Sequence, residues 1–461
     1  MISKEHLETT AKVHDQQLHR RVDLLLRTGK VLVESMADSN RIVRNMKRTA
    51  AYLGIPEDKL HINVSFTMLM VNVSDGDYSF TKFQRIETHG VNMNAITDIS
   101  KLSWRAIEND YSLDQYEEEL EKIRTKKRNY TPWQVAIGAG FACGGFCIQF
   151  GCDWMAFLYA SIAAILGMRL RGLCNESGLN HYMGIAIAAF VSTMIAWATT
   201  LLPDTWTSTP WHPLLACALF IVPGVPLINF VDDMLDNYIQ VGLVRAMNTL
   251  LMVTAMAFGI AFAVKLCNIA DFFPTISMVP HHNYIEYAVA AAISAMGFSM
   301  IFNIQPRLLW VVAIGGIIAV CTRNFVNLGP STDNIGLDMG LVIGSFSGAT
   351  LVSLIAIKAV HWFHVPNHVL TIPSVIPMIP GVLMYRMLFG LININVKSVD
   401  EITPLMKDIE SGINSGLVIM VIAIGVAIPN IFGRRYIARS KNKRLAEILK
   451  ERKARGKFIE W

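Results

Sequence analysis

Two short stretches hold most of the residues that could do chemistry in an otherwise apolar background. IVPGVPLIN (221–229) contains Pro223, Gly224, Pro226 and Asn229. TIPSVIPMIPGVLMYR (371–386) contains Pro373, Pro377, Pro380, Gly381, Tyr385 and Arg386. Proline inside a helix removes one N–H and clashes with the preceding turn, so the carbonyl four residues back loses its donor. By that rule the carbonyls of Leu219, Val222, Val369, Pro373 and Ile376 are expected to be freed. In hydrocarbon each would cost several kcal/mol, so they must face protein or a water-filled cavity. A half-helix restarting after Gly224 or Gly381 would aim free N–H groups at that cavity, which suits a carboxylate. Asn229 and Arg386 each follow their break by about one and a half turns. Arg386 can hold a carboxylate through two parallel bonds, and Asn229 can donate and accept. With Asn303 and Gln305, which close a later apolar segment, these residues form the expected substrate-binding set.

Asp232 and Asp233 follow the first break and are the candidates for carrying protons. His361, His364 and His368 have spacings of three and four that would suit metal ligands on one helix. Pro366 interrupts that geometry and no carboxylate or cysteine joins them, so no metal site and no cofactor are expected. The seven cysteines form no C-x-x-C pair, and most sit in apolar runs, where free cysteine packs as a small hydrophobe. No nucleophile motif or phosphate loop stands out, which argues against an enzyme.

These residues need a membrane to make sense of them. The chain has 461 residues, 52% hydrophobic and 17% charged, against about 25% charged in ordinary soluble domains. Residues 1–130 are mixed, 131–433 are dominated by apolar runs, and 434–461 are basic. Ten segments approach the roughly 20 apolar residues a spanning helix needs. They lie near 133–150, 154–170, 182–202, 211–228, 241–265, 284–304, 308–322, 336–359, 366–392 and 413–433. The fourth and ninth are interrupted by proline. No signal peptide opens the chain. Lys122, Arg124, Lys126, Lys127 and Arg128 precede the first span, and the tail is rich in lysine and arginine. The positive-inside rule then places both termini in the cytoplasm, with the tail against anionic lipid rather than nucleic acid.

The apolar region repeats. IVPGVPLIN matches MIPGVLMYR (378–386) at an offset of 157, and Gly140-Phe141 matches Gly297-Phe298 at the same offset. MGIAIAAF (183–190) matches MGLVIGSF (339–346), and Trp154 matches Trp310, both at 156. Two units of five spans, 131–266 and 281–433, must enter the membrane from opposite sides because five is odd. Inverted repeats with broken helices at the centre are the architecture of secondary transporters.

The N-terminal 130 residues read as a small α+β domain. Two helices fit within 20–53, with Asp38 or Ser39 as an N-cap. A strand fits 60–73, a turn Asp75-Gly76-Asp77, and a hairpin partner 78–86. Helices follow over 93–108 and 112–128.

The head LLLRTGKVLVESMADSNRI, the break VPGVPLINFVDDML, the segment GFSMIFNIQPRLLWVVAIGG and the break VPNHVLTIPSVIPMIPGVLMYR together resemble the threonine/serine exporter family over nearly the whole chain. The resemblance implies a bacterial inner-membrane exporter of small hydroxy amino acids driven by the proton gradient. Family members whose two halves are separate chains are associated with succinate export. The expected fold is thus an α-helical polytopic membrane protein. It has about ten transmembrane helices, arranged as two inverted five-helix repeats with broken fourth and ninth helices, plus a small α+β cytoplasmic N-terminal domain. The expected partners are threonine, serine or a small dicarboxylate, protons and membrane lipid, and self-association is left open. The competing class is a membrane sensor whose head signals or is enzymatic.

Overall fold

The computed structural model describes residues 4–75, 78–268, 282–330, 334–392 and 402–454. It divides into two compact units. One comprises Met1–Lys127, Asp233–Val244 and Gly433–Trp461; the other comprises Arg128–Asp232 and Arg245–Phe432.

The first unit opens with helices α1 (Lys4–Glu34) and α2 (Ser39–Tyr52). Asp38 caps α2, its carboxylate accepting the Arg41 N–H. Gly54, at φ 78°, turns the chain out of α2, a conformation that glycine adopts without a Cβ penalty. Strands β1 (Leu60–Val64), β2 (Met68–Asp75) and β3 (Tyr78–Arg85) form an antiparallel sheet in sequence order. The alternating run 60–73, expected to be one strand, is thus two. Ser65 accepts the Met68 N–H and donates to its carbonyl, closing a tight turn inside the run. Helix α3 (Met93–Glu108) packs against α1 and α2, and α4 (Leu113–Thr125) against α1 and α3. Leu24, Leu25, Ile42, Met46, Leu69, Val71, Ile99 and Leu102 make the core. A β-carbon at Gly29 would collide with Leu69 and Met46, so α1 approaches the sheet at a glycine. Tyr116 is buried, its hydroxyl within bonding distance of Thr28 (3.0 Å) and Thr49 (3.3 Å).

The second unit is helical. In order it holds α5 (Pro132–Gln149), α6 (Trp154–Glu176), α7 (His181–Thr199), the short α8 (Pro213–Ala216), α9 (Gly224–Leu235) and α10 (Ile239–Leu266). Then follow α11 (Tyr284–Ile301), α12 (Leu309–Asn327), α13 (Leu341–Phe363), α14 (Asn367–Val375), α15 (Gly381–Ile392) and α16 (Ile402–Ala454). Among the described residues, seven helices are long and apolar enough to cross a membrane, or up to nine if each of two bent pairs is one span. Helix α5, diluted by four glycines, falls outside that count. The last helix, α16, extends into the basic residues after 434 as far as Ala454. The last turn of α9, the first residues of α10 and the part of α16 from Gly433 on belong to the first unit.

Matching turns and helix contacts recur in the two halves of this unit, and they pair residues in registers different from two of those read from sequence. Helix α5 ends in a Schellman turn. The Gly151 N–H donates to Ile148, the Cys152 N–H donates to Cys147, and Gly151 sits at φ 90°. Helix α11 ends the same way: the Asn303 N–H donates to Met300, the Ile304 N–H to Ser299, and Asn303 sits at φ 58°. Phe146 stacks on Phe150 and Phe298 on Phe302, each pair with centroids 5.8 Å apart. A β-carbon at Gly145 would meet the Ala290 carbonyl at 2.6 Å and Ser294 Cβ at 2.7 Å, and one at Gly297 would collide with the Gly138 carbonyl and Ala142. Every one of these pairs is 152 residues apart. The counterpart of Gly297-Phe298 is therefore Gly145-Phe146, not Gly140-Phe141. The two glycines nest in one antiparallel helix contact, where only a missing Cβ allows the backbones to touch.

The third helices differ similarly. Gly259 of α10 lies against Ala186 and Ala189 of α7, and Gly425 of α16 lies against Phe346 and Ala349 of α13. That equivalence has an offset of 160, one turn away from the MGIAIAAF/MGLVIGSF match.

Candidate functional site

The two proline-glycine breaks are copies of one turn. In the first, the Val222 N–H donates to Leu219 (3.1 Å), the Gly224 N–H to Val222 (2.8 Å) and the Leu227 N–H to Pro223 (2.9 Å). In the second, the Ile379 N–H donates to Ile376 (2.9 Å), the Gly381 N–H to Ile379 (2.9 Å) and the Met384 N–H to Pro380 (3.2 Å). Each bond has its equivalent 157 positions on, as the sequence match requires. The chain tightens to a 3₁₀ turn, pivots at proline, and restarts as α9 or α15. The bends are 57° and 63°.

The copies also pack on each other. A β-carbon at Gly224 would stand 2.9 Å from Ile376 Cδ1 and 3.0 Å from Ile379 Cδ1. One at Gly381 would stand 2.6 Å from Leu219 Cδ2 and 3.2 Å from Val222 Cγ2. Leu219 and Val222 are the repeat equivalents of Ile376 and Ile379, so the contact is reciprocal, like that across a two-fold axis.

This geometry revises what the breaks offer. The carbonyls of Leu219, Val222 and Ile376, expected to be freed, all accept short backbone bonds. The N–H groups of Gly224 and Gly381 are consumed in the same turns. Proline removes the distant donor, and the tightened chain supplies a nearer one. Polar chemistry at the breaks falls mainly to side chains.

Asn229 and Asp232 on α9 are each 2% exposed. Asp232 Oδ2 lies 3.7 Å from Nε2 of His368, on α14 ahead of the second break. A carboxylate and an imidazole, one from each broken pair, thus meet in the interior. Thr371 and Ser374, also buried on α14, donate to the carbonyls of Asn367 (3.2 Å) and Leu370 (2.8 Å) one turn back. Ser374 reaches the Val312 carbonyl of α12 as well, at 3.3 Å.

Asp233 does something else. Its Oδ1 accepts the backbone N–H of Ser39 at 2.7 Å, at the N-terminus of α2, where Asp38 pairs with Arg41 Nε at 2.9 Å. Both are anionic groups at the positive end of a helix dipole.

Pro223, Gly224, Pro226, Pro373, Pro377, Pro380 and Gly381 all lie in or beside the paired turns. Arg386 follows on α15 and is part-buried. The side chain of Tyr385 lies outside the described residues. Asn303 and Gln305 lie at the end of α11 and just ahead of α12. Asn303 is the left-handed residue ending α11, and its Oδ1 accepts the Asn129 N–H at 2.8 Å. Gln305 accepts from Arg307 Nε at 3.0 Å in the turn before α12. The histidines do not share a helix face: α13 ends at Phe363, and His364 is left-handed at φ 53°. The side chain of His361 lies outside the described residues.

Sequence reasoning set His368 aside with the other histidines and overlooked Arg323, which falls just past the predicted seventh span. The signal for both was present. An ionisable residue within or at the edge of a membrane-spanning segment is a functional candidate by default.

A family model described as a putative threonine/serine exporter matches residues 23–267, and a second, described as threonine/serine exporter, matches residues 287–432. The chain is 26% identical over 243 residues to a protein of Escherichia coli (strain K12) named probable succinate transporter subunit YjjP. That match covers 53% of this chain and 93% of the relative. The protein of the same name from Klebsiella aerogenes is 25% identical over 244 residues, covering 53% and 92%. An uncharacterized protein of Haemophilus influenzae is 26% identical over 141 residues, covering 31% of this chain and 44% of the relative. No solved structure matches.

Proposed function

The chain belongs to the threonine/serine exporter family, and we propose that it is a secondary active transporter whose substrate binds at the paired breaks. It is a multi-pass membrane protein and a transporter by family. The finer reading rests on one observation above all: two proline-glycine turns, identical bond for bond and 157 residues apart, with each glycine under the other's aliphatic residues. A transporter that rocks one repeat against the other needs such a junction at its centre. The antiparallel contact of α5 with α11 supports opposite insertion of two five-span halves, with broken fourth and ninth spans.

The substrate in this reading is a small hydroxy amino acid, threonine or serine, exported across the bacterial inner membrane with both termini in the cytoplasm. Its carboxylate is met by Arg386 and its polar remainder by Asn229. Asp232, beside His368, carries the coupling proton, while Asp233 anchors α2. A second reading is favoured by the relatives named as probable succinate transporter subunits, which match 53% of this chain. In that reading a small dicarboxylate is the cargo.

Proteoliposomes loaded with labelled threonine, serine or succinate test both. Efflux of threonine or serine that follows an imposed pH gradient is expected. Movement of succinate alone would select the second reading, and no gradient-dependent movement of any of the three would refute both.

A further inference from the structure

Arg323 lies near the C-terminal end of α12, inside the membrane unit, and is part-buried. Its Nε donates to Asn324 Oδ1 at 3.0 Å and its Nη2 to Gln149 Oε1 of α5 at 3.3 Å. Both partners are buried, and both are neutral amides. Among the described residues no carboxylate lies within ion-pairing distance of Arg323. Two carboxylates at this end of the unit are engaged by other groups. Glu286 faces His282 Nδ1 at 3.0 Å and caps α11; Asp153 accepts from Thr207, Ser208 and Ala156.

A guanidinium partly withdrawn from water without a counter-charge carries a share of the desolvation cost, which reaches several kcal/mol for a fully buried ion. Two amide oxygens hold it in place and offset part of that cost. They leave N–H groups of the planar fork for an anion. The group also lies close to the proposed pathway. One turn before Arg323 on α12, the Ala319 carbonyl lies against Gly348 of α13. A β-carbon at Gly348 would be 3.0 Å from Met378 Sδ in the second break.

We propose that Arg323, braced by Gln149 and Asn324, is a carboxylate-binding residue separate from Arg386, and that it receives a carboxylate passing to or from the paired breaks. Gln149 is a positioning residue in this scheme. The passage of substrate rests on the transporter reading; the binding of a carboxylate does not.

The test uses the purified full-length chain in detergent, with thermal stabilisation titrated by succinate, threonine and neutral succinamide. Succinate and threonine are expected to stabilise the wild type and succinamide not to. Arg323→Gln should raise the half-saturating carboxylate concentration about tenfold, as expected for loss of a charge-assisted bidentate contact. Arg323→Lys, which keeps the charge, should recover part of it, and Gln149→Ala should produce a smaller loss. The same proteins in proteoliposomes should show the loss as a raised half-saturation for flux. Wild-type binding that Arg323→Gln and Arg323→Lys both leave unchanged would overturn the site, as would equal stabilisation by succinamide or no stabilisation by either carboxylate. Arg323-dependent binding by a wild type that transports nothing would keep the site and refute the transporter reading.

Discussion

Gly224 and Gly381 occupy the same place in two copies of one turn, and each lies beneath aliphatic side chains of the other copy. Neither has a positive φ, so glycine is required there by close approach and not by backbone conformation. An added methyl at Gly381 would sit 2.6 Å from Leu219 Cδ2, and one at Gly224 would sit 2.9 Å from Ile376 Cδ1. Gly224→Ala and Gly381→Ala should each cost roughly 1–3 kcal/mol, the usual range for overpacking, and should slow flux. Leu219→Ala should restore part of what Gly381→Ala loses, because it removes the obstructing carbon. Thermal unfolding of the double variant in detergent reads this. A double variant no better than the sum of its parts would argue against the reciprocal contact.

Asp232 and Asp233 should separate cleanly. Asp233→Ala removes the acceptor for the Ser39 N–H and should destabilise the chain by about 1 kcal/mol, the scale of a lost helix-terminal partner. Asp232→Asn should leave the melting temperature nearly unchanged while making flux insensitive to an imposed pH gradient. Gradient-driven flux that survives Asp232→Asn would remove Asp232 from the coupling scheme.

The Asp153 carboxyl lies below the usual carboxylate range. Burial alone would raise it, but the N–H groups of Ala156 and Ser208 and the Thr207 and Ser208 hydroxyls stabilise the anion more. A depressed folded-state value means stability that is present above the unfolded value, about 3.9, and lost as pH falls through the folded one. Melting temperature should therefore drop below about pH 4, with a smaller drop in Asp153→Asn. Because Asp153 also caps α6, Asp153→Ala should cost about 1 kcal/mol at neutral pH.

Asn303 tests the line between structural and binding roles. At φ 58° it needs a residue that tolerates the left-handed region, and its Oδ1 holds the Asn129 N–H. Asn303→Asp satisfies both demands and should retain folding and flux, whereas Asn303→Val should lose roughly 1–2 kcal/mol through backbone strain. A stable Asn303→Asp protein without flux would return Asn303 to the substrate site.

Much of the fold was legible. The apolar segments and an N-cap at Asp38 or Ser39 follow from patterning that local physics reads directly. The register of the first repeat pair was not. In apolar sequence a Gly-Phe dipeptide recurs by accident, and Gly140 and Gly145 are equivalent on paper. What distinguishes them is that Gly145 faces Ala290 and Ser294, while Gly140 faces Ser161 and Ile165 of α6. The strand over 60–73 misled for a similar reason, since alternation continues unbroken through the turn at Ser65.

The proline-glycine pairs and their recurrence could be read from residue order alone, because proline's missing N–H acts wherever it stands. Which carbonyls stay unpaired could not. Their new donors are supplied two and three residues away, only once the chain has bent. Nor could residue order assign the two neighbouring aspartates. Adjacent residues on a helix point about 100° apart, so Asp232 turns to His368 and Asp233 to Ser39. Three-dimensional packing alone decides what stands at the end of each direction.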